Sequence, residues 1–173
     1  MPRNHHYELD LTWTGNTGTG TSGYRDFERS HELTAPGKPT IPGTADPTFR
    51  GVPEQWNPEE LLVASLSQCH MLWFLSLCAK EGVVVTAYTD HPSGTMMESS
   101  GGGGQFSEVV LRPRIQVADF EQAELIPNLH HRAHDLCFIA NSVNFEVRCE
   151  PEVYPGEDDS AGLGQRDPRG EAE

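Results

Sequence analysis

One long apolar stretch, residues 61–79, dominates the pattern of hydrophobic and polar positions along this chain. Asn57 precedes it as a helix N-cap, and Glu60 follows three residues later, which is the spacing of a capping box. The pattern predicts a helix over residues 58–80 that ends before Gly82. Because this helix is apolar on most faces, we expect it to be the central helix of the core or to be covered by a second subunit.

Shorter segments on both sides of this helix have the alternation or the β-branched composition of strands. A second helical pattern over residues 119–141 begins at Asp119 and is interrupted at Pro127. Because strands outnumber helices and short gaps permit hairpins, we expect an α+β fold with a mainly antiparallel sheet. The predicted strands cover residues 6–14, 24–33, 83–91, 106–117 and 143–148, and the proline-rich residues 34–56 are predicted as loop with one short strand.

The charge of the chain argues against several classes of partner. Twelve Lys and Arg residues against 26 Asp and Glu residues give a formal net charge of −14. Such a surface repels phosphate backbones and anionic lipids, so we expect neither nucleic-acid nor membrane binding. Eight acidic residues and two arginines lie in residues 150–173, which have little to bury. We therefore expect one domain over residues 1–149 and a poorly ordered acidic tail over residues 150–173.

The apolar stretch does not have the composition of a membrane span, because polar residues such as Gln68 and His70 interrupt it. Residues 1–10 show no charged and then apolar leader pattern, so a cytoplasmic, mostly reduced protein is expected. In that compartment the four cysteines favour catalytic or metal-binding roles over structural disulfides.

The cysteines and histidines differ in what their spacing permits. Cys78 follows Cys69 by nine residues and therefore lies on the opposite face of the helix. We expect Cys78 and Cys149 to be buried thiols without a chemical role. A second cluster contains His130, His131, His134 and Cys137. One helix face can present His130, His134 and Cys137, and their spacing would allow them to bind a zinc ion. No Cys-x-x-Cys pair or matching carboxylate completes that site, so we predict ordinary hydrogen-bonded histidines and no metal. His70 points about 100° away from Cys69 and is not expected to act as its base.

Two motifs resemble the OsmC/Ohr family, named for osmotically inducible protein C and organic hydroperoxide resistance protein. The segment NPEELL at residues 57–62, followed by Cys69, is similar to that family's helix start and reactive cysteine. The segment AHDLC at residues 133–137 is similar to the region of its second cysteine. The similarity covers about residues 7–148. It implies an OsmC-like fold with a long central helix, in an intertwined homodimer whose active sites lie at the subunit interface.

The resemblance also implies a thiol-dependent peroxidase without a cofactor, which reduces organic hydroperoxides to alcohols. Cys69 is then the peroxidatic cysteine, oxidised to a sulfenic acid, and Cys137 the resolving cysteine that forms a disulfide with it. A second thiol must reduce that disulfide, and the resemblance suggests a dithiol such as a dihydrolipoyl group. An apolar pocket above the thiol has four candidate residues, Trp56, Met71, Trp73 and Phe74, although core packing is the more expected role for most of them.

An arginine is needed to stabilise the Cys69 thiolate, because the helix dipole does not act on a residue in mid-helix. Arg50 precedes the NPEELL segment as an arginine does in the OsmC branch of the family, and Arg25 resembles the arginine of the Ohr branch. Arg29 shares a face of the predicted strand with Arg25. We favour Arg50, then Arg29, then Arg25.

Glu59 is expected to hold that arginine in place. Ten residues of helix span about 15 Å, so Glu59 cannot touch Cys69 of its own chain and should act at the Cys69 of a second subunit.

Two alternatives to the peroxidase stay open. One is a non-enzymatic protein of this fold that binds a small molecule or senses redox state, and the other is a zinc-binding protein that uses the histidine cluster.

Overall fold

The computed structural model describes residues 3–155, in two compact units that divide between Leu66 and Ser67. Each unit is described by itself below. The predicted tail lies outside the described residues from residue 156 onward. The helices and strands are, in chain order, β1 (Asp10–Trp13), β2 (His31–Thr34), β3 (Ile41–Gly43), α1 (Pro58–Glu81), β4 (Val85–Asp90), β5 (Ser93–Glu98), β6 (Gly104–Leu111), β7 (Pro113–Val117), α2 (Ile126–Leu136), β8 (Glu146–Cys149) and β9 (Glu152–Pro155).

The predicted long helix is confirmed as α1. The side chain of Asn57 accepts a hydrogen bond from the Glu60 N–H at 2.8 Å, and Glu60 accepts one from the Asn57 N–H at 3.3 Å. This is the capping box expected from the sequence. The chain leaves the helix at Gly82, whose φ of 73° is accessible to glycine without strain. By length and composition α1 could cross a membrane, but the core helix of a soluble protein has the same properties.

The N-terminal unit contains an antiparallel sheet in the order β1-β2-β3. All four side chains of β1 are exposed, so the half-buried face predicted from its alternation is wrong for the isolated chain. The predicted return strand is regular only from His31, as β2. Residues 27–30 still pair with residues 14–16, since the Glu28 N–H donates to the Gly15 carbonyl and the Thr14 N–H to the Ser30 carbonyl, but a turn closes between Gly23 and Asp26 and no regular strand forms there.

The C-terminal unit has two three-stranded sheets, in the orders β4-β7-β9 and β5-β6-β8. The single strand predicted over residues 106–117 is wrong, because it breaks at Arg112 into β6 and β7 of different sheets. Strands β5 and β9 were not predicted. Strand β9 pairs in parallel with β7, so ordered structure continues past the predicted domain boundary at residue 149.

Four of the strand pairings in the described residues are antiparallel and two are parallel, which confirms the predicted α+β class with mainly antiparallel sheet. The second predicted helix is divided at its proline. A 3-10 helix, Phe120–Leu125, is capped by Asp119, and α2 then begins with Pro127 in its first turn. The C-terminal half of α1 and the inner face of α2 meet β4 and β7 in one core, formed by Phe74, Leu77, Cys78, Val83, Ile115, Val117, Ile126, Leu129 and Ala133.

A cysteine pair and a buried histidine cluster

Cys69 and Cys137 come together within the C-terminal unit. Cys69 lies on α1 and is partly exposed, whereas Cys137 directly follows α2 and is buried. The Cys69 thiol lies close enough to Cys137 to act on the pKa of the Cys137 thiol. Both are free cysteines. Two thiols that are 68 residues apart in the sequence are therefore near neighbours in the fold, one partly exposed and one buried.

The surroundings of Cys137 keep it protonated. Burial raises the pKa of its thiol to about 11, and the neighbouring Cys69 acts in the same direction. The backbone N–H of Ala140 donates to the Cys137 sulfur at 3.4 Å and opposes this rise only in part. Cys137 is therefore a thiol at neutral pH, with a proton to give up when it forms a new bond.

Aromatic side chains accompany this pair. Trp73 follows Cys69 by one helical turn, and its ring lies 5.8 Å from that of Phe138, the neighbour of Cys137, in an edge-on arrangement. Phe138 is 67 % exposed. The predicted contribution of Phe74 to an apolar pocket is wrong, because Phe74 is fully buried in the core.

The two remaining cysteines have different surroundings. Cys78 is buried in the core, as predicted, and burial raises the pKa of its thiol to about 11. Cys149, predicted as an inert thiol, instead faces two histidines. Its sulfur lies 3.4 Å from Nε2 of His70 and 3.6 Å from Nδ1 of His130.

His70 and His130 form a buried, hydrogen-bonded pair. Nε2 of His70 lies 2.8 Å from Nδ1 of His130, and the ring planes differ by 4°. The two residues are 1 % and 3 % exposed. Burial lowers the pKa of His70 to about 4 and that of His130 to about 3, so both imidazoles are neutral at physiological pH. The Phe74 ring stacks on His130 with a centroid distance of 3.9 Å.

This histidine cluster replaces the one considered from the sequence. His131 is exposed and lies 3.8 Å from Asp135, so His130, His131, His134 and Cys137 do not converge on one point. In the part of the chain that the structure describes, the convergent group of possible metal ligands is His70, His130 and Cys149. Because His70, His130 and Cys149 are far apart in the sequence, no short ligand motif could have identified them as a group.

The candidate arginines lie in the N-terminal unit, around Tyr24. The guanidinium carbon of Arg29 is 4.5 Å from the centre of the Tyr24 ring, and that of Arg50 is 5.9 Å from it. Arg29 also donates to the backbone carbonyls of Phe27 and Tyr24. Because residues 24–30 form no strand, the strand face that Arg25 and Arg29 were predicted to share does not exist.

Arg50 and Glu59 each have one unusual feature. Arg50, at a φ of 70°, is the one non-glycine residue with a positive φ among residues 3–155. Such strain, about 1–3 kcal/mol, is often found at functional positions. One carboxylate oxygen of Glu59 is buried and has no hydrogen-bond partner among the described residues. A buried carboxylate of this kind is stabilised by a cation or a donor.

The chain was compared with known families and structures. Residues 51–152 match the family of OsmC-like proteins. An OsmC-like protein of unknown function from Vibrio cholerae has 34 % sequence identity, with 86 % of this chain and 99 % of that chain covered and a TM-score of 0.74. No curated protein matches the chain.

Two solved structures with lower identity have the same fold. The organic hydroperoxide resistance protein OsmC from Legionella pneumophila is 16 % identical, with 88 % of this chain and 98 % of that chain covered and a TM-score of 0.62. An organic hydroperoxide resistance protein from Elizabethkingia anophelis is 18 % identical, with 89 % and 100 % covered and a TM-score of 0.62. The family match and the Vibrio relative, together with the fold, place this chain in the family of OsmC-like proteins.

Proposed function

We propose that this protein is a thiol-dependent peroxidase that reduces organic hydroperoxides in the cytoplasm. The proximity of a partly exposed Cys69 to a buried, protonated Cys137, with the rings of Trp73 and Phe138 in contact beside them, carries the proposal. That arrangement gives the peroxide access to one sulfur and keeps the second sulfur beside it. Two proteins of the same fold are named as organic hydroperoxide resistance proteins.

The reaction proceeds in two steps at these sulfurs. The Cys69 thiolate attacks the terminal oxygen of the hydroperoxide, so an S–O bond forms, the O–O bond breaks and the alkoxide leaves as an alcohol after taking a proton. The Cys137 thiol then attacks the Cys69 sulfenic acid. The S–S bond forms, and the hydroxyl leaves as water with the proton from Cys137. An external dithiol, such as a dihydrolipoyl group, reduces the disulfide by exchange and is itself oxidised to a disulfide.

Arg50 is our first choice for the residue that stabilises the Cys69 thiolate and orients the peroxide. Its positive φ is that of the C-cap of the short 3-10 helix Pro47–Phe49, so the choice rests on its position before the NPEELL segment, as in the OsmC branch of the family. Arg29 is second, because its guanidinium is already bonded to backbone carbonyls. Glu59 would position the arginine, and its unpaired carboxylate oxygen is the observation that supports this role.

A second copy of the chain would complete the site. Glu59 precedes Cys69 by ten residues of one continuous helix, about 15 Å, so a pairing of Glu59 with an arginine beside a thiol requires the thiol of another subunit. Apolar side chains left exposed support such a homodimer, among them Leu11 on β1 and Leu72 on α1. Light scattering should give twice the mass of one chain, and a monomer at micromolar concentration would contradict this part of the proposal.

Stopped-flow measurement of the reduced protein with cumene hydroperoxide tests the proposed activity. We expect one equivalent of peroxide to be consumed and a Cys69–Cys137 disulfide to be found by mass spectrometry. Cys69→Ser should abolish consumption, Cys137→Ser should leave a sulfenic acid that a dimedone probe traps, and Cys78→Ala is the matched control with normal activity. If all thiols stay free after minutes with excess peroxide, the peroxidase is excluded and the non-enzymatic alternative is favoured.

The aromatic pair Trp73 and Phe138 supports a bulky organic substrate, because it places apolar surface next to both cysteines. Phe138→Ser should lower the rate constant with cumene hydroperoxide more than that with hydrogen peroxide. An equal loss with both peroxides would show that the aromatic pair does not select the substrate.

A further inference from the structure

The three donor atoms of His70, His130 and Cys149 lie close enough to one another to be three ligands of a single metal ion. Around tetrahedral zinc, with Zn–N near 2.0 Å and Zn–S near 2.3 Å, a nitrogen and a sulfur lie about 3.5 Å apart and two nitrogens about 3.3 Å apart. The sulfur of Cys149 lies 3.4 and 3.6 Å from the two nitrogens. The two nitrogens are 2.8 Å apart and would have to move apart by about half an ångström to reach the spacing of two zinc ligands.

We propose that His70, His130 and Cys149 form a buried binding site for a zinc-type divalent cation. Two imidazoles and one thiolate make a donor set that suits Zn²⁺ and excludes Ca²⁺ and Mg²⁺, which require oxygen ligands. This site is separate from the Cys69–Cys137 pair and does not depend on the proposed peroxidase activity.

The local charge agrees with metal binding. The Asp90 carboxylate acts electrostatically on both His70 and Cys149, so a cation is favoured there. Ser67 donates to one oxygen of Asp90 at 2.5 Å and the Arg112 N–H to the other at 2.7 Å, which holds the carboxylate in place.

The surrounding structure holds the ligands in position. They come from three different elements, α1, α2 and β8, and the Phe74 ring packs on His130. Three protein ligands leave a fourth coordination position for a water molecule. The Tyr88 hydroxyl is buried, has no hydrogen-bond partner among the described residues and interacts electrostatically with Cys149. It is therefore available to hydrogen-bond such a water.

Binding involves a defined transfer of protons and no oxidation. The Cys149 thiol loses one proton to solvent as its sulfur binds the cation. In the metal-free protein one of the two facing nitrogens, Nε2 of His70 or Nδ1 of His130, carries the proton of their hydrogen bond. On binding, that proton is exchanged through solvent to the other nitrogen of the same ring, so both imidazoles are neutral and their protons lie on Nδ1 of His70 and Nε2 of His130. Because the bound cation links two helices and a strand, it stabilises the C-terminal unit.

Titration of the reduced, chelator-treated protein with Co²⁺ and Zn²⁺ tests this site. We expect one Co²⁺ per chain, with a sulfur-to-cobalt charge-transfer band that one equivalent of Zn²⁺ removes, and a higher Tm with Zn²⁺. Cys149→Ala should remove the band and weaken Zn²⁺ binding by roughly 100-fold or more. Replacing a residue that only hydrogen-bonds to a metal ligand already lowers the metal affinity by about 10–100-fold, and Cys149 is itself a proposed ligand. His130→Gln should weaken Zn²⁺ binding similarly.

Two control variants separate this site from the other thiols. Cys78→Ala removes another buried cysteine, and the double variant Cys69→Ser/Cys137→Ser removes the proposed peroxidase pair. Both should keep the band and the Zn²⁺ affinity, and the double variant should do so without peroxidase activity. The proposal is overturned if the wild type shows no thiolate band, if the double variant loses it, or if Cys149→Ala binds Zn²⁺ as tightly as the wild type.

Discussion

Nε2 of His70 lies 2.8 Å from Nδ1 of His130, while Cys69, the residue before His70, lies close to Cys137, the residue that directly follows α2. Two consecutive residues of α1 thus meet two residues of the α2 segment, in two chemically different pairs. The helical rotation of about 100° per residue turns one side chain toward the thiol and the next toward the core. The proposed redox site and the proposed metal site therefore share the same two helices without sharing a side chain.

Three of the four thiols should resist alkylation at neutral pH, because burial raises the pKa of each. At pH 7 a thiol with a pKa of about 11 is ionised to only about one part in ten thousand. Burial raises the pKa of Cys78 to about 11 and that of Cys149 to about 12. We therefore expect iodoacetamide at pH 7 to react slowly with these three thiols and to modify the partly exposed Cys69 first, and we expect the Cys137 rate to rise steadily as the pH approaches 11. Peptide mass spectrometry measures this order, with the unfolded protein as the control. Equal rates for Cys69 and Cys137 at pH 7 would contradict it.

Replacement of the arginines should separate the three candidates. Arg50→Met should lower the second-order rate constant of Cys69 oxidation by roughly 100-fold or more, the loss typical of a group that stabilises charge in a reaction. Arg50→Lys should recover part of it, because the charge remains. Arg25→Met is the matched control and should react normally. A large loss with Arg29→Met and none with Arg50→Met, in stopped-flow assays, would assign the role to Arg29 instead.

Neighbouring valines after α1 should differ sharply in their contribution to stability. Val83 is 3 % exposed within the core, whereas Val84 is 58 % exposed. We expect Val83→Ala to lower the free energy of unfolding by about 1.5–3 kcal/mol, the value of a buried side chain of this size. Val84→Ala should change it by less than about 0.5 kcal/mol. Urea denaturation followed by circular dichroism measures both, and similar losses would show that the packing at this turn differs from that described.

Removal of the helix cap should destabilise the start of α1. Asn57→Ala leaves the Glu60 N–H without its side-chain acceptor and should lower the free energy of unfolding by about 0.5–2 kcal/mol. Asn57→Asp keeps an acceptor at this position and serves as the control, with a small effect. If urea denaturation gives the same loss for both variants, the residue acts through another contact.

The local features of the chain were predictable because each depends on a few neighbouring residues. The capping box of Asn57 and Glu60, the end of α1 at Gly82 and the division of the second helix at Pro127 all follow from backbone chemistry within one or two turns. The resemblance at residues 57–62 and 133–137 led to the correct family. Strand bounds were less predictable. The return strand predicted from Tyr24 is regular only from His31, because a turn closes at Asp26 and residues 27–30 pair irregularly with residues 14–16.

Contacts between distant segments could not be read from the sequence. The apolar run predicts that α1 is a helix, but not that consecutive residues of it face Cys137 and His130. Cys149 looked like an inert thiol because its partners lie 79 and 19 residues away, where no spacing rule applies. A helix or a turn is set by interactions over a few residues, which the order of amino acids specifies directly. The convergence of three donor atoms depends on how two helices and a strand pack, and only the folded chain decides that.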